Sequence, residues 1–395
     1  MQHTQKSLAL QLLLFIVRLI FSNNNYHHNV IIHMRKKIAI IGAGISGLTL
    51  ANNLKNIAEV TVFEKARGVG GRMSTRYALP FYFDHGTQFF TARSKAFQAF
   101  IAGLIDLGIV AEWTGKVITI QANNVIKDRL WFEPHYVASP NMNDLCKYMA
   151  SEINVVLSTE IAPLGEKQHD GWRIFSKATI EKNGVAKEAE MLGVFDWVIS
   201  TAPPAQTLNL FNVELNSSST LLPMLNSVEM QGCYTLMLGF NEPWRKPWIA
   251  AKIHNDIADN SPIDAKQLEK PLEKPLEWIA INSTKPSRNA NVTAIVAHSR
   301  NDWAEEHIDD DMQQAQNCLV NHFEQLTGIS CGKADYISTH RWKYALITQP
   351  NKLGSYVDNE RNIAATGDWT AASRIEEVWL EAMKLSADIK LEIEG

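Results

Sequence analysis

Gly42, Gly44 and Gly47 stand in the spacing G-x-G-x-x-G, and Glu64 follows 22 residues after Gly42. Glycines so placed let a chain turn tightly, bring its backbone against a pyrophosphate and pack a helix closely on a strand. A carboxylate at the distance of Glu64 accepts hydrogen bonds from a ribose diol and disfavours a 2′-phosphate. The chemistry open to these residues is to hold a dinucleotide, its phosphates facing the free N–H groups of a helix N-terminus. The elements that must position them are readable on either side. Residues 37–41 (KIAII) form an apolar run, as expected of a parallel strand buried on both faces. Ile45, Leu48, Leu50 and Leu54 recur at helical spacing, and EVTVFE (59–64) is a second strand ending on Glu64.

A second cluster follows at once. EKARGVGGR (64–72) holds Lys65, Arg67, Gly70, Gly71 and Arg72, none of which a plain nicotinamide-binding domain needs. Gly70 and Gly71 let a second backbone segment come close, and Arg72 can meet phosphate as a planar fork. Arg67 can do the same or close a salt bridge near Glu64, and Arg76 reads as a surface or interdomain residue. The stretch, E-x-x-R-x-x-G-G-R, resembles the second signature of the flavin amine oxidase superfamily. That resemblance implies FAD, with Lys65 lying in the binding segment; no Cys or His stands where a covalent link to the flavin is expected, so the FAD is expected to be held noncovalently. It also implies that DWVISTAPP (196–204) returns the chain beneath the cofactor, and that Gly367 and Asp368 of NIAATGDW (362–369) meet the ribityl chain. SRIEEVWLEAMKL (373–385) is expected to open a helix capped by Ser373, with the N–H groups near Ile375 facing the flavin ring and stabilising its reduced, negative form. The superfamily usually has smaller residues where Glu377, Val378, Glu381 and Ala382 stand. In SEINVVLSTEIAPLG (151–165), Ile161 is placed beside the adenine, with an ordinary sheet position as the alternative.

Four further stretches, FDHGTQFFTAR (83–93), EWIAINSTKPSR (277–288), AHSRNDWAEEH (297–307) and HRWKYAL (340–346), together resemble renalase and its bacterial relatives. The resemblance runs from Met34 to about Ala387. It implies oxidation of the 2- and 6-dihydro isomers of NAD(P)H by hydride transfer to FAD, with O2 as electron acceptor and H2O2 as product. A flat hydride donor needs an aromatic, water-excluding slot and no general base. Phe89, Phe90, Trp342, Tyr344 and Trp369 lie in segments expected beside the ring. His85, Gln88, His340 and Arg341 are candidate polar anchors, each with a structural hydrogen bond as the alternative. The rival readings are a flavin amine oxidase or desaturase acting on a small amine, and a non-catalytic FAD-binding redox sensor.

Composition narrows the partners. A net charge of −4 implies no basic surface, so nucleic acid is not an expected partner. The four cysteines (146, 233, 318 and 331) form no C-x-x-C pair, and no His, Asp or Glu cluster has metal spacing, so neither a metal nor a disulfide framework is expected and a reducing cytoplasm is. Residues 1–33 read as an N-terminal extension. Their apolar run SLALQLLLFIVRLIF (7–21) contains Arg18 and is shorter than the roughly 20 residues a spanning helix needs. A membrane-associating or signal segment is the alternative there, and no membrane partner is expected. The fold class expected is α/β: a Rossmann-like FAD-binding domain from 34–78, 143–204 and 335–390, and a mainly antiparallel-sheet substrate domain from 79–142 and 205–334. GCYTLMLGF (232–240), LEWIAI (276–281) and VTAIVAHS (292–299) are its expected strands, and DDDMQQAQNCLVNHFEQLTG (309–328) an amphipathic helix stopped by Gly328. The duplicated EKPL within 267–278 reads as a surface loop.

Overall fold

The computed structural model describes residues 35–121, 124–180, 186–212, 220–254, 274–370 and 373–395. The N-terminal extension and most of the EKPL duplication lie outside them.

The first sheet has six strands. In chain order these are β1 (Lys37–Ile41), β2 (Glu59–Phe63), β7 (Asn154–Val156), β8 (Trp197–Ser200), β14 (Tyr356–Asp358) and β15 (Ile363–Ala365), laid side by side as β14-β15-β8-β1-β2-β7. Every pairing is parallel except that of β14 with β15. Strand β1 is central, and Ile38, Ala39 and Ile40 have no exposed surface, which is why KIAII shows no alternation. Helix α1 (Ile45–Leu54) packs along α5 (Ile375–Glu394), burying Leu48, Leu50 and Leu54 against Ala382, Leu385 and Ile389.

The second sheet has seven strands: β5 (Val117–Gln121), β6 (Ile126–Arg129), β9 (Glu229–Phe240), β10 (Ala250–His254), β11 (Leu276–Ile281), β12 (Thr293–Ser299) and β13 (Tyr336–Gln349), ordered β13-β9-β12-β11-β10-β5-β6. Only the β10–β5 pairing is parallel. Side chains alternate faces along a strand. On β9, Tyr234, Leu236 and Leu238 point to one face, where they share a core with Leu319 and Phe323 of α4 (Met312–Thr327). Helix α4 starts at Asp311, whose carboxylate accepts the Gln313 and Gln314 N–H groups, and stops at Gly328 in the left-handed conformation. The opposite face of the sheet carries Met237 and Val296, which pack on Phe81 and Phe83 of a hairpin, β3 (Thr75–Ala78) and β4 (Phe81–Asp84).

Three expectations are corrected. Residues 336–349, assigned to the dinucleotide domain, form β13 at the edge of the second sheet, because their pairing partner is β9. Helix α2 (Lys95–Asp106), assigned to the substrate domain, packs on α5 of the first, with Phe100 stacked on Trp379 at 4.9 Å. Ser373 does not cap α5. Arg374 holds that place, and the Ser373 hydroxyl accepts the Ile347 N–H of β13 at 2.9 Å, tying the helix entry to the second sheet.

Candidate functional site

Strand β1 runs out at Gly42, which turns at φ +114° and donates its N–H to the Phe63 carbonyl at 2.8 Å. A Cβ on Gly47 would lie 2.0 Å from the Gly42 carbonyl oxygen, so α1 sits against the turn with no room for a side chain. Gly44 differs: a Cβ there would meet no heavy atom within 4 Å. The second glycine pair forms the other side of this cradle. Gly70 donates to the Ala43 carbonyl at 2.9 Å, and a Cβ on Gly71 would be 3.6 Å from the Gly44 Cα. Glu64 is buried. One of its oxygens accepts the Ala43 N–H at 2.9 Å and the other the Ala66 N–H at 2.8 Å. A carboxylate oxygen has a second lone pair, so both remain able to accept a hydroxyl.

From this cradle a cavity of about 1380 Å³ extends to the second sheet. Ile161 and Lys65 line one end, the Lys65 ammonium donating to Gln206 Oε1 at 3.1 Å. Arg67 is exposed and is not part of the lining. Gly367, Asp368 and Ile375 line the middle, where the Asp368 carboxylate is ion-paired with Arg72. A pocket with a glycine face open to receive a group, a helix N-terminus, a buried carboxylate and a guanidinium fits an FAD-sized dinucleotide.

The far wall is built by strand register. Cys233 pairs with Trp342 and Thr235 with His340, and directly paired residues share a face, so all four look toward the cavity side. Tyr234 pairs with Arg341 on the opposite face, where the Arg341 guanidinium donates to the Ile308 and Asp310 carbonyls at 2.6 and 3.2 Å. The candidate anchor Arg341 is among the cavity-lining residues, but its guanidinium is already bonded to those carbonyls. Gln88, also a candidate, is buried, donates to the Asp84 and Gly86 carbonyls and accepts from Asn282 at 2.9 Å, so its amide too is committed. Tyr344 lines the cavity beside Trp342.

His85 and Trp342 do meet, their rings stacked at 5.1 Å, and His340 stands edge-on to both at 5.0 and 4.5 Å. The His85 carbonyl accepts Thr235 Oγ1 at 2.9 Å and Trp342 Nε1 at 3.1 Å, with His298 Nε2 at 3.3 Å, so one oxygen gathers three strands. Burial, then the charges around His340 and Arg76, push the His85 imidazole down to about 3; burial and Arg76 push His340 down to about 4. Burial takes His298 to about 4 against the pull of the His85 carbonyl. The wall is aromatic and polar, and its imidazoles are uncharged at neutral pH.

Sequence reasoning assigned no role to the group that holds this turn. Asp84 is fully buried and binds Lys285 Nζ at 2.8 Å, Arg288 Nη2 at 2.7 and 2.8 Å, and the Thr75 hydroxyl at 2.6 Å. Burial would raise its carboxyl, but the Lys285 and Arg288 charges outweigh that and hold it at about 2. Next to it, Gly86 lies so near the Arg72 carbonyl that a Cβ would stand 2.0 Å away, and the Thr87 N–H donates to the same oxygen at 2.8 Å. The turn carrying His85 is thereby pinned to the second glycine segment. At the far end of the cavity Lys252 is ion-paired with Glu277, another pairing that went unread. The signal for both lay in charged residues set within otherwise apolar stretches, FDHG and LEWIAI.

Residues 40–104 match the NAD(P)-binding Rossmann-like domain family. Among solved structures, the chain is similar to cyclohexylamine oxidase from Brevibacterium oxydans (12% identity, TM-score 0.63), covering 91% of this chain and all of that one. It is similar at 12% identity and TM-score 0.64 to a protein from Exiguobacterium sp. provisionally named a protoporphyrinogen oxidase, and at 12% and 0.59 to putrescine oxidase bound to putrescine; each comparison covers 90% of this chain and 99% of the other. At these identities the likeness is one of fold: a Rossmann-like domain joined to a second sheet domain, as in the amine oxidases.

Proposed function

We propose that this chain is an FAD-dependent oxidoreductase of the flavin amine oxidase superfamily, and within it an oxidase of the renalase type. It takes a hydride from 2- and 6-dihydronicotinamide dinucleotides and delivers the electrons to O2 as H2O2. FAD, when bound, supplies a ring that accepts the hydride and passes two electrons to oxygen. Gly42, Gly44, Gly47, Gly70, Gly71 and Arg72 hold its pyrophosphate, Glu64 its ribose and Ile161 its adenine. Gly367 and Asp368 meet the ribityl chain, and the N–H groups near Ile375 meet the ring edge. The cofactor is held without a covalent bond. Cys233, the cysteine lining the cavity among the described residues, has its thiol pushed up to about 11 by burial and is a poor nucleophile.

The observation that carries the donor reading is the wall of His85, His340 and Trp342. It offers aromatic and neutral imidazole faces to a flat ring and requires no proton acceptor, because a hydride leaves with its electrons. Among the described residues, the carboxylate on that side, Glu277, is paired with Lys252 and offers no free negative charge to draw an ammonium group. The test is anaerobic bleaching of bound flavin by a panel of 2-, 4- and 6-dihydronicotinamides and of amines, followed by peroxide measurement in air. Bleaching by the 2- and 6-isomers is expected. Bleaching by amines alone, equal bleaching by ordinary NADH, or no bleaching at all would each sink the reading.

Glu64→Ala tests cofactor placement. Hydrogen bonds to a charged acceptor are worth about 1.5–3 kcal/mol each, so losing the ribose contacts should weaken FAD binding roughly tenfold or more. Equilibrium dialysis against FAD measures this, and an unchanged dissociation constant would remove Glu64 from the ribose.

A further inference from the structure

The cations near the cavity are nearly all spoken for. Arg72 is paired with Asp368, Lys252 with Glu277 and Lys177 with Glu160, while Arg341 is turned to backbone carbonyls. Arg76 is different. Among the described residues its guanidinium has no hydrogen bond or ion pair to a protein acceptor, although the residue is partly buried.

Its direction follows from the alternation of β3. Thr75 and Tyr77 point to one side, where their hydroxyls reach Asp84 at 2.6 Å and Asn143 at 2.9 Å. Ser74 points to the other, lining the cavity with its Oγ 3.4 Å from His85 Nε2, and Arg76 shares the Ser74 side. Its cross-strand partner is Phe83, whose ring stacks on Tyr336 at 5.2 Å; Tyr336 lies four residues before His340 on the same face of β13. Arg76 therefore stands over the β13 face that continues into His340 and Trp342. Its charge is felt there, since it lowers both His85 and His340.

A partly buried guanidinium without a protein acceptor is free to take an anion, and its planar fork matches a phosphate. We propose that Arg76 binds the anionic phosphates of the dinucleotide donor, beside the slot that takes the nicotinamide. This rests on the donor reading above. The pyrophosphate of FAD belongs to the glycine cradle, so the two dinucleotides are held by separate cations, Arg72 and Arg76. A nicotinamide lacking phosphates fills the slot without this anchor, so Arg76 sets the preference for nucleotide over free ring.

The experiment uses the FAD-loaded enzyme and two readouts. The first is calorimetric binding of ADP-ribose, which has the phosphates but no hydride to give. Arg76→Gln should weaken it about 10- to 30-fold, as expected for one charge-assisted contact, while Arg76→Lys retains most of the affinity. The second is the ratio of kcat/KM for a dihydronicotinamide dinucleotide over N-methyl dihydronicotinamide, which should fall at least about tenfold in Arg76→Gln. The melting temperature should stay close to wild type, because no protein contact is lost. Equal ADP-ribose affinity in wild type and Arg76→Gln, or an absence of ADP-ribose binding in wild type, would overturn the proposal. So would an equal loss on both substrates, which would mark a structural role. Failure of every dihydronicotinamide to reduce the wild-type flavin would instead remove the donor reading, and the ADP-ribose comparison would still decide whether Arg76 is an anion site.

Discussion

Gly44→Val should yield a folded protein that cannot keep its cofactor. Gly44 has extended backbone angles (φ −81°, ψ −177°) open to any residue, and a Cβ there touches no protein atom within 4 Å. The added methyls would project into the cradle between α1 and the Gly70–Gly71 segment. If the pyrophosphate sits there, at least two charge-assisted N–H bonds are lost, about 3 kcal/mol or more, which corresponds to over 100-fold in affinity. Gly47→Val is the contrasting change. Its Cβ would fall 2.0 Å from the Gly42 carbonyl, and backbone cannot yield that much, so the β1–α1 unit should fail to form. Circular dichroism and melting should find Gly44→Val near wild type and Gly47→Val unfolded or insoluble, while dialysis against FAD should find neither loaded. A yellow Gly44→Val protein would mean that the pyrophosphate lies elsewhere.

Trp342→Ala should slow flavin reduction on the order of 100-fold while leaving reoxidation nearly untouched. The indole stacks on His85 and donates to the His85 carbonyl, so its loss removes a face of the slot and loosens the turn that forms the other. Aromatic contact adds only about 0.5–1.5 kcal/mol to binding beyond burial. Position matters more, since a displacement of about 1 Å at the reacting atoms costs on the order of 100-fold in rate. Reoxidation needs only access of O2 to the reduced ring. Stopped-flow reduction under nitrogen and reoxidation in air separate the two steps. Trp342→Phe keeps a ring while the His85 carbonyl still holds Thr235, and should fall between. Unaltered reduction in Trp342→Ala would make HRWKY a framework strand only.

The cradle was legible because its logic is local. Gly42, Gly44, Gly47 and Glu64 span one strand–helix–strand unit, in which Gly42 makes the turn, Gly47 the close approach, and Gly44 leaves the cradle open. The alternation of β9 and the stop of α4 at Gly328 were legible for the same reason. The far wall was not. HRWKY shows aromatic and basic residues in alternation, but which set faces the cavity is fixed by the register of β13 on β9, a pairing across more than a hundred residues. Arg341 looked like an anchor by its type, but its guanidinium is taken by the Ile308 and Asp310 carbonyls. The Asp84–Lys285–Arg288 junction joins residues 201 and 204 apart, and no periodicity announces it. Ser373 had the composition of a cap, but the end of β13 competes for its hydroxyl and wins it.

The order of strands also governs how this molecule comes off the ribosome. Strand β8 waits for β15 to cover its outer edge, and β9 waits for β13. Throughout most of synthesis both sheets carry an open edge, the feature by which strands recruit foreign strands. Distant pairings of this kind close late and slowly. Asp368 and Ile375 emerge later still, so the pocket is unfinished until they have left the tunnel. Nascent chains arrested before Tyr336 should be protease-sensitive and should not respond to FAD. Until those late strands pair, the open edges set aggregation in competition with closure.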